Sequence, residues 1–373
     1  MNYGHPLQFG TFLTPAASNP ERVVELAQTS ESLGYDLVTF QDHPYQPSHL
    51  DTWTLMSWVA AKTERVRIAG NVHCLPLRPP AVLAKSAASL DLLSGGRVEL
   101  GLGAGAFWDP IEAMGGRRLE PREAVDALDE AIDIIRGIWD VSERTSLGIG
   151  GEHYRVVGAQ RGPAPAHDIP VLIGSYKPRM LRLTGQKGDG WLPSLPYLKP
   201  GDLSKGNAII DAAAIEAGRD PREIRRMLNI AGRFASERGG VLNGPPESWV
   251  EDLLPMVTED GIGTFIIMAD DPMTMEVFIR QVAPALREAA ERALPGAFAA
   301  GTIRKASALA KRRAGIDYDG IPAPLAGSAI EPGDHGYASV HSTYMRGGAP
   351  GLVLRVGDTD ELAEALAYAR RHR

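Results

Sequence analysis

Residues 66–72 (VRIAGNV), 80–93 (PAVLAKSAASLDLL) and 97–102 (RVELGL) decide the fold. The outer two are short apolar or β-branched runs, and the middle one keeps its leucines and alanines at helical spacing. One strand follows the next after about 30 residues, the length of a strand–helix unit, and such units in series build a parallel sheet. Upstream, residues 7–13 (LQFGTFL) lead into a helix over 20–33 that Gly34 ends as a C′ glycine. Residues 36–40 (DLVTF) precede a helix over 51–62 capped by Asp51 or Thr52.

Downstream the pattern continues. A helix over 121–139 follows strand four, and then a longer gap in which GGEHYRVVG, within 148–158, reads as a β-hairpin insertion. Strand 170–173 with helix 178–187, and strand 190–193 with a helix within 202–217, come next. Strands 226–231 (RMLNIA) and 263–268 (GTFIIM) complete the series, each with a helix after it. Eight units imply an α/β chain closed as a (β/α)8 TIM barrel, with an insertion after helix four. Helix eight ends near Leu294, before Pro295-Gly296, so the expected barrel domain is 1–298, followed by a C-terminal extension, 299–373. A length of 373 residues suits one barrel of about 250 residues with additions. In the extension, 299–313 (AAGTIRKASALAKRR) is basic and helical and 352–356 reads as a strand. Asp358, Thr359 and Asp360 can cap a last helix through Arg370.

Hydrophobic residues make up 44% and charged residues 23%, which excludes a disordered chain. Acidic side chains outnumber basic ones, 46 to 39, for a net charge of −7, and no basic face gathers, so nucleic acid is not an expected partner. The N-terminus lacks a cationic segment followed by an apolar one, and no run of 18 apolar residues occurs, so neither signal peptide nor membrane association is expected. Cys74 is the single cysteine and excludes an intrachain disulfide; a cytoplasmic protein is the natural reading.

Barrel chemistry sits at the carboxyl ends of the strands. Strand two ends in Gln41-Asp42-His43, an acid and an imidazole able to hold and exchange a proton. Strand three ends in Gly70-Asn71-Val72-His73-Cys74, where glycine and asparagine inside a strand suggest a bulge that brings backbone towards a ligand. His73 and Cys74 are neighbours on an extended chain and face opposite ways. With no HxH, HExxH or CxxC elsewhere, no metal site is expected, and Cys74 reads as a small buried hydrophobe. Strand four runs into Gly101-Leu102-Gly103-Ala104-Gly105, which departs from a dinucleotide fingerprint but lets a flat ligand approach. Phe107, Trp108 and Asp109 follow. Strand five gives Gly174-Ser175-Tyr176-Lys177-Pro178-Arg179, small residues and two cations at a helix start, an expected anion site. Trp53, Phe107, Trp108, Trp191 and Met268 are the expected pocket lining, suited to an apolar or aromatic small molecule.

Taken together, DHPYQ after strand two, AGNVHCLPLRPPAVLAKSAASLDLLSGGRVELGLGAG across strands three and four, and VLIGSYKP with GQKGDGWLPS across five and six resemble the luciferase-like flavin-dependent oxidoreductases. Within that superfamily the similarity is to the branch using the deazaflavin coenzyme F420. The resemblance spans residues 7–290 and implies the same barrel. It implies that Asp42 contacts the deazaflavin, that His43 lies near its reactive face as proton donor or acceptor, and that Asn71, Val72 and His73 form a bulge behind the ring. A non-prolyl cis peptide is expected there at Val72-His73. It further implies that Gly174, Ser175, Tyr176 and Lys177 hold the phosphate of the cofactor tail, with Gly103, Gly105 and Asp109 also at the cofactor. Homodimers through helices two and three are usual in the family.

One position departs from the pattern. Where sugar-phosphate dehydrogenases of the branch carry a glutamate, this chain has Ala106, so glucose-6-phosphate is not the expected substrate. The acid is then His43, His73, Asp109 or Glu112, or none is needed. Two alternatives stay open: an FMN-dependent monooxygenase on the same barrel, and a non-catalytic flavin-binding protein. The tail has its own resemblance. Pro332-Gly333-Asp334-His335-Gly336-Tyr337, Arg346, Ala349-Pro350 and the strand and helix after them resemble the opening of FAD-linked oxidases related to berberine bridge enzyme. The chain stops at Arg373, before that family's FAD-binding glycine and histidine, so FAD binding by this segment is not expected.

Overall fold

The computed structural model describes residues 3–298, 309–326, 328–334, 337–340 and 348–371. Elements alternate as the spacing requires. Strand β1 (Gln8–Leu13) leads to α1 (Pro20–Leu33), whose first turn is capped by the Asn19 side chain accepting from the Arg22 amide and whose end is closed by Gly34 at φ 94°. Strand β2 (Leu37–Phe40) leads to α2 (Thr52–Ala60), and here the cap is Asp51, which accepts from the Thr54 amide. Strand β3 (Arg67–Gly70) breaks before a short β4 (His73–Cys74), and α3 (Pro80–Ser94) follows. Strand β5 (Val98–Gly103), a single-turn α4 (Trp108–Ala113) and the long α5 (Pro121–Trp139) come next.

The insertion is a hairpin, β6 (Leu147–Gly150) paired antiparallel with β7 (Arg155–Ala159). The second half runs β8 (Val171–Ile173), α6 (Pro178–Lys187), β9 (Gly190–Trp191), α7 (Asp202–Glu216) and β10 (Arg225–Ile230). Two short strands, β11 (Arg233–Phe234) and β12 (Asn243–Gly244), lie beyond β10. The barrel ends with α8 (Pro246–Thr258), β13 (Thr264–Met268), α9 (Pro272–Val277) and α10 (Ala283–Ala293). Parallel pairing of β1 with β13 at one seam and of β3 with β5 at the other closes eight staves into a barrel.

Alternation along the staves sorts side chains into two cores. Outward residues such as Phe9, Val38, Ile68, Leu100 and Phe265 pack under the helices. Inward residues stack in layers, as in other eight-stranded barrels. The lowest layer is polar: Glu99, 2% exposed, is held by Arg225 at 2.7 Å and by Arg67, which also bonds Gln8. Above it lies an apolar layer of Leu37, Ala69, Leu172, Leu192, Met227 and Ile266, with Phe12 and Val72 on its upper side. That leaves the upper end, where the strands finish, as the open face.

Strand three is shorter than its sequence suggests. The expected run over 66–72 stops at Gly70, because the chain turns through a cis Asn71-Val72 peptide before pairing again at His73. The cis bond therefore precedes Val72 and not His73. In the extension, Arg312 is bonded to Glu331 at 2.6 Å and stacks on Tyr318, the Tyr318 hydroxyl donates to the Gly351 carbonyl, and the Tyr368 hydroxyl donates to the Asp317 carbonyl. The last helix is Thr359–Arg371, its first amides held by Asp358. The basic stretch 299–308, together with His335, Gly336 and Arg346 of the tail resemblance, lies outside the described residues. Among the described residues no helix is long and apolar enough to cross a membrane.

Candidate active site

The bulge between β3 and β4 shapes the open end. It projects Val72 across the barrel mouth, and the neighbouring staves make room by lacking side chains. A β-carbon on Gly103 would stand 2.7 Å from Val72 Cγ2, and one on Gly101 would stand 2.1 Å from the Gly70 carbonyl oxygen. Gly174 faces the same valine at 3.3 Å. The glycines of strands four and five are thus required by close approach of the bulge. Directly beneath, Asn71 and Asn229 exchange amide hydrogen bonds across the barrel at 2.7 and 3.1 Å; Asn71 also donates to Thr39 and Asn229 to Ser194. The Asn71 side-chain amide is thus engaged within the barrel, and its backbone amide donates to the Phe40 carbonyl at 2.7 Å.

Asp42 and His73 lie together behind the wall. Both are fully buried, with His73 Nδ1 donating to Asp42 Oδ2 at 3.3 Å. The same carboxylate accepts from the Cys74 amide at 2.9 Å and takes a two-pronged bond from Arg78, Nε at 2.7 Å and Nη2 at 2.6 Å. Burial opposes ionisation of Asp42, but the hydrogen bonds from Arg78 and His73 outweigh it and hold the carboxyl well below its usual range. The His73 ring fills the space a side chain on Gly70 would need and lies 5.0 Å from the Trp53 ring. Its Nε2 is buried with no hydrogen-bond partner among the described residues. Burial, then the Asp42 charge, pushes the Cys74 thiol up to about 12, so it stays protonated and inert.

His43 stands apart from this pair. It is half-buried at the rim, stacked on Tyr45 at 5.1 Å and edge-on to Phe107 at 5.4 Å. Burial, then His49, lowers its pKa from the usual 6.5 against the pull of Asp42. At neutral pH it is an uncharged imidazole at an aromatic rim, ready to take a proton.

At the turn after strand five, several side chains have partners within the protein. The Ser175 hydroxyl is buried against Thr184 at 3.0 Å, the Tyr176 hydroxyl accepts from the Ser194 amide, and Arg179 pairs with Asp126 and the Arg122 carbonyl. Lys177 is left exposed at the start of α6. Asp109 is exposed and paired with Arg118, which also holds Glu112. Of the expected lining, Phe107 and Met268 are exposed, and Trp53 and Trp108 are half-buried. Trp191 is not part of it. Gly190 and Leu192 take the inward positions, so Trp191 points outward, against Gly206 of α7, and donates to the Ser175 carbonyl. Neither cysteine–histidine nor carboxylate clusters able to hold a metal occur among the described residues.

Sequence reasoning missed Arg78, Thr39, Ser194 and Asn229. Asn229 had a signal, a lone amide inside the apolar strand RMLNIA at an inward register; Arg78, in a loop before Pro79-Pro80, had none.

Comparison with known proteins agrees with this architecture. The profile of the luciferase-like monooxygenase family matches residues 1–235, and the chain belongs to that family. It is an enzyme of that superfamily. An F420-dependent glucose-6-phosphate dehydrogenase from Gordonia bronchialis is 31% identical over 233 residues, covering 60% of this chain and 68% of the relative. An F420-dependent secondary alcohol dehydrogenase, seen with an F420–acetone adduct, superposes with TM-score 0.67 at 19% identity, over 75% of this chain and 99% of that one. A monooxygenase from Streptomyces bottropensis gives TM-score 0.66 at 18% identity over the same shares. At these identities the two structures speak for the fold.

Proposed function

We propose that the protein transfers a hydride between coenzyme F420 and a small, uncharged, apolar or aromatic organic substrate. The observation that carries this is the cradle at the barrel mouth, where Val72 overlies Gly101, Gly103 and Gly174. A flat ring system fits a seat made of one valine, a bulged backbone and glycines, and the 31% identity to an F420-dependent dehydrogenase supports the choice of ring. Bound there, the deazaflavin would supply the hydride carrier. Asn71, Val72, Gly103 and Gly105 would form its seat, and 174–177, with Lys177 as the exposed cation, would hold its anionic tail, with Asp109 at the rim.

In this reading Asp42 and His73 work from behind. Their side chains are buried, so they fix the bulge and the loop after β2, and His43 is the group that takes or gives the proton. Ala106 removes the strand-four acid of the sugar-phosphate dehydrogenases, which favours a substrate without a sugar phosphate. Residues 1–298 carry the activity, and 299–373 are an extension resembling the start of an FAD-linked oxidase. A cytoplasmic homodimer completes the reading, with α2 and α3 as its contact face.

The test is a fluorescence titration of the purified protein with coenzyme F420 and, separately, with FMN. Tight binding of F420 alone is the expected result. Preference for FMN would replace hydride transfer with the oxygen-dependent chemistry of the family's monooxygenases and remove the role given to His43.

A further inference from the structure

We propose that Arg78 is a positioning residue that staples the loop 43–50 at both ends and thereby sets the place of His43. The inference rests on reading that loop as the carrier of the proton-transfer group. Arg78 belongs to the connection after β4, far from the loop in sequence. Its guanidinium bonds Asp42, immediately before the loop, through Nε at 2.7 Å and Nη2 at 2.6 Å, and the same Nη2 bonds Asp51, immediately after it, at 2.8 Å. Asp51 is at once the cap of α2, accepting from the Thr54 amide and hydroxyl. Thr52 closes the same ring by donating to the Gln41 carbonyl at 2.5 Å.

Between the anchors the loop is two tight turns, the Gln46 amide on the His43 carbonyl and the His49 amide on the Gln46 carbonyl. Its far half is tied to the loop after β1 by the Leu50 amide on the Pro15 carbonyl and the Ala17 amide on the Ser48 carbonyl. Among the described residues no such backbone tie to another segment is made by residues 43–45, so their place depends on the Asp42 end. The two arms are unequal. Asp42 is fully buried and Asp51 is about half exposed, so the first arm is shielded from solvent and the second is screened. A planar fork is needed to bond one carboxylate twice and another once, and a lysine ammonium cannot reproduce it.

The charged and titratable groups acting on His43 are His49 and Asp42, and its ring neighbours are Tyr45 and Phe107. Losing the staple should let the ring leave its aromatic neighbours and titrate nearer the free value, about 6.5. The experiment compares wild type with Arg78→Met, Arg78→Lys and Asp51→Asn, by backbone hydrogen exchange and by NMR titration of the His43 ring, without any cofactor. Arg78→Met should speed exchange across 43–50 at least tenfold while leaving the 147–159 hairpin unchanged, and should raise the His43 titration point. Arg78→Lys should do the same, because the charge stays and the fork goes. Asp51→Asn, which keeps the helix cap, should raise exchange only a few-fold and only around 49–52.

Recovery of the wild-type titration by Arg78→Lys would assign the effect to charge alone and overturn the staple. An unmoved His43 titration in both Arg78 variants would reduce Arg78 to a stabilising role and overturn it equally. If Arg78→Met does not fold, the Lys and Asn variants decide. Since no step uses F420, failure here is separate from failure of the cofactor titration.

Discussion

Val72 occupies the space that a side chain on Gly103 would need: a β-carbon there would stand 2.7 Å from Val72 Cγ2. The two residues come from adjacent staves, and each explains the other. The bulge can project a branched side chain over the mouth only because β5 ends without one. Gly103→Ala is therefore expected to push the bulge aside, at a stability cost of about 1–3 kcal/mol for overpacking, and to weaken F420 binding tenfold or more. Trimming the valine should return the space, so Gly103→Ala with Val72→Ala should bind better than Gly103→Ala alone. Additive losses in the double variant would show that the two positions do not share one seat.

His43 is set apart from the buried Asp42–His73 pair, which under the proposed function would separate binding from proton transfer. His43→Ala should leave F420 affinity within about threefold while lowering turnover by about 10²–10⁴, the usual range for a lost general acid–base group. The lowered pKa gives the sign of the pH effect. In the direction that needs a base, activity should be flat near neutrality and fall only below about pH 6.5, as the ring takes up a proton. A pH–rate profile of wild type against His43→Ala, in which this acid limb persists in the variant, would assign the limb to another group.

The barrel was legible because its signal is repetition. Helices 20–33, 121–139 and 178–187 end where the sequence placed them, since Pro20, Pro121 and Pro178 each open a helix and Gly34 closes the first. Positions at the mouth were legible too, because the end of a strand is a register statement. What side chains do there was less so. Ser175 and Arg179 read as anion ligands by type; that Ser175 also meets Thr184 and that Arg179 meets Asp126 and the Arg122 carbonyl, more than fifty residues back, shows only in the folded chain. Trp191 looked like lining until the two-residue period turned it outward. Arg78 was invisible because its meaning lies in two carboxylates, Asp42 and Asp51, brought to it only by closure of the barrel.

The lower end of the barrel predicts acid sensitivity. Glu99 is buried between Arg225 and Arg67. Burial opposes its charge, but the two guanidinia prevail and bring its pKa down to about 2. The folded value lies below the unfolded one, about 4.3, so the stabilisation is complete above that pH and is lost as the pH falls towards 2. A displacement of this size corresponds to about 3 kcal/mol. Glu99→Gln leaves two partly exposed guanidinia facing a neutral amide and should cost about 3 kcal/mol at pH 7. Denaturant unfolding at pH 7 and pH 3 checks this: the difference between wild type and variant should be smaller at the lower pH.

The α2 helix predicts the oligomer. It stands between two clefts, one of about 440 Å³ lined by Val24, Leu50, Leu55 and Trp58 on the α1 side, the other of about 480 Å³ on the α3 side, where Trp53, Leu90 and Leu93 are joined by Ser57, Lys85, Ser86 and Ser89. Trp58 is 60% exposed and Leu93 86%. Single exposed apolar residues are ordinary, but two clefts flanking one helix, each with a large apolar side chain at its edge, form the kind of surface that a partner covers. A two-fold dimer would set this face against its own copy, so one substitution enters the interface twice. Leu93→Asp should therefore remove two apolar side chains from one contact, set two like charges in their place and convert a dimer to a monomer. Since both side chains are exposed in the isolated chain, Trp58→Asp and Leu93→Asp should change its melting temperature little. Size-exclusion chromatography with light scattering should give twice the chain mass for wild type and once for either variant; a monomeric wild type would remove the dimer and leave the clefts without that partner.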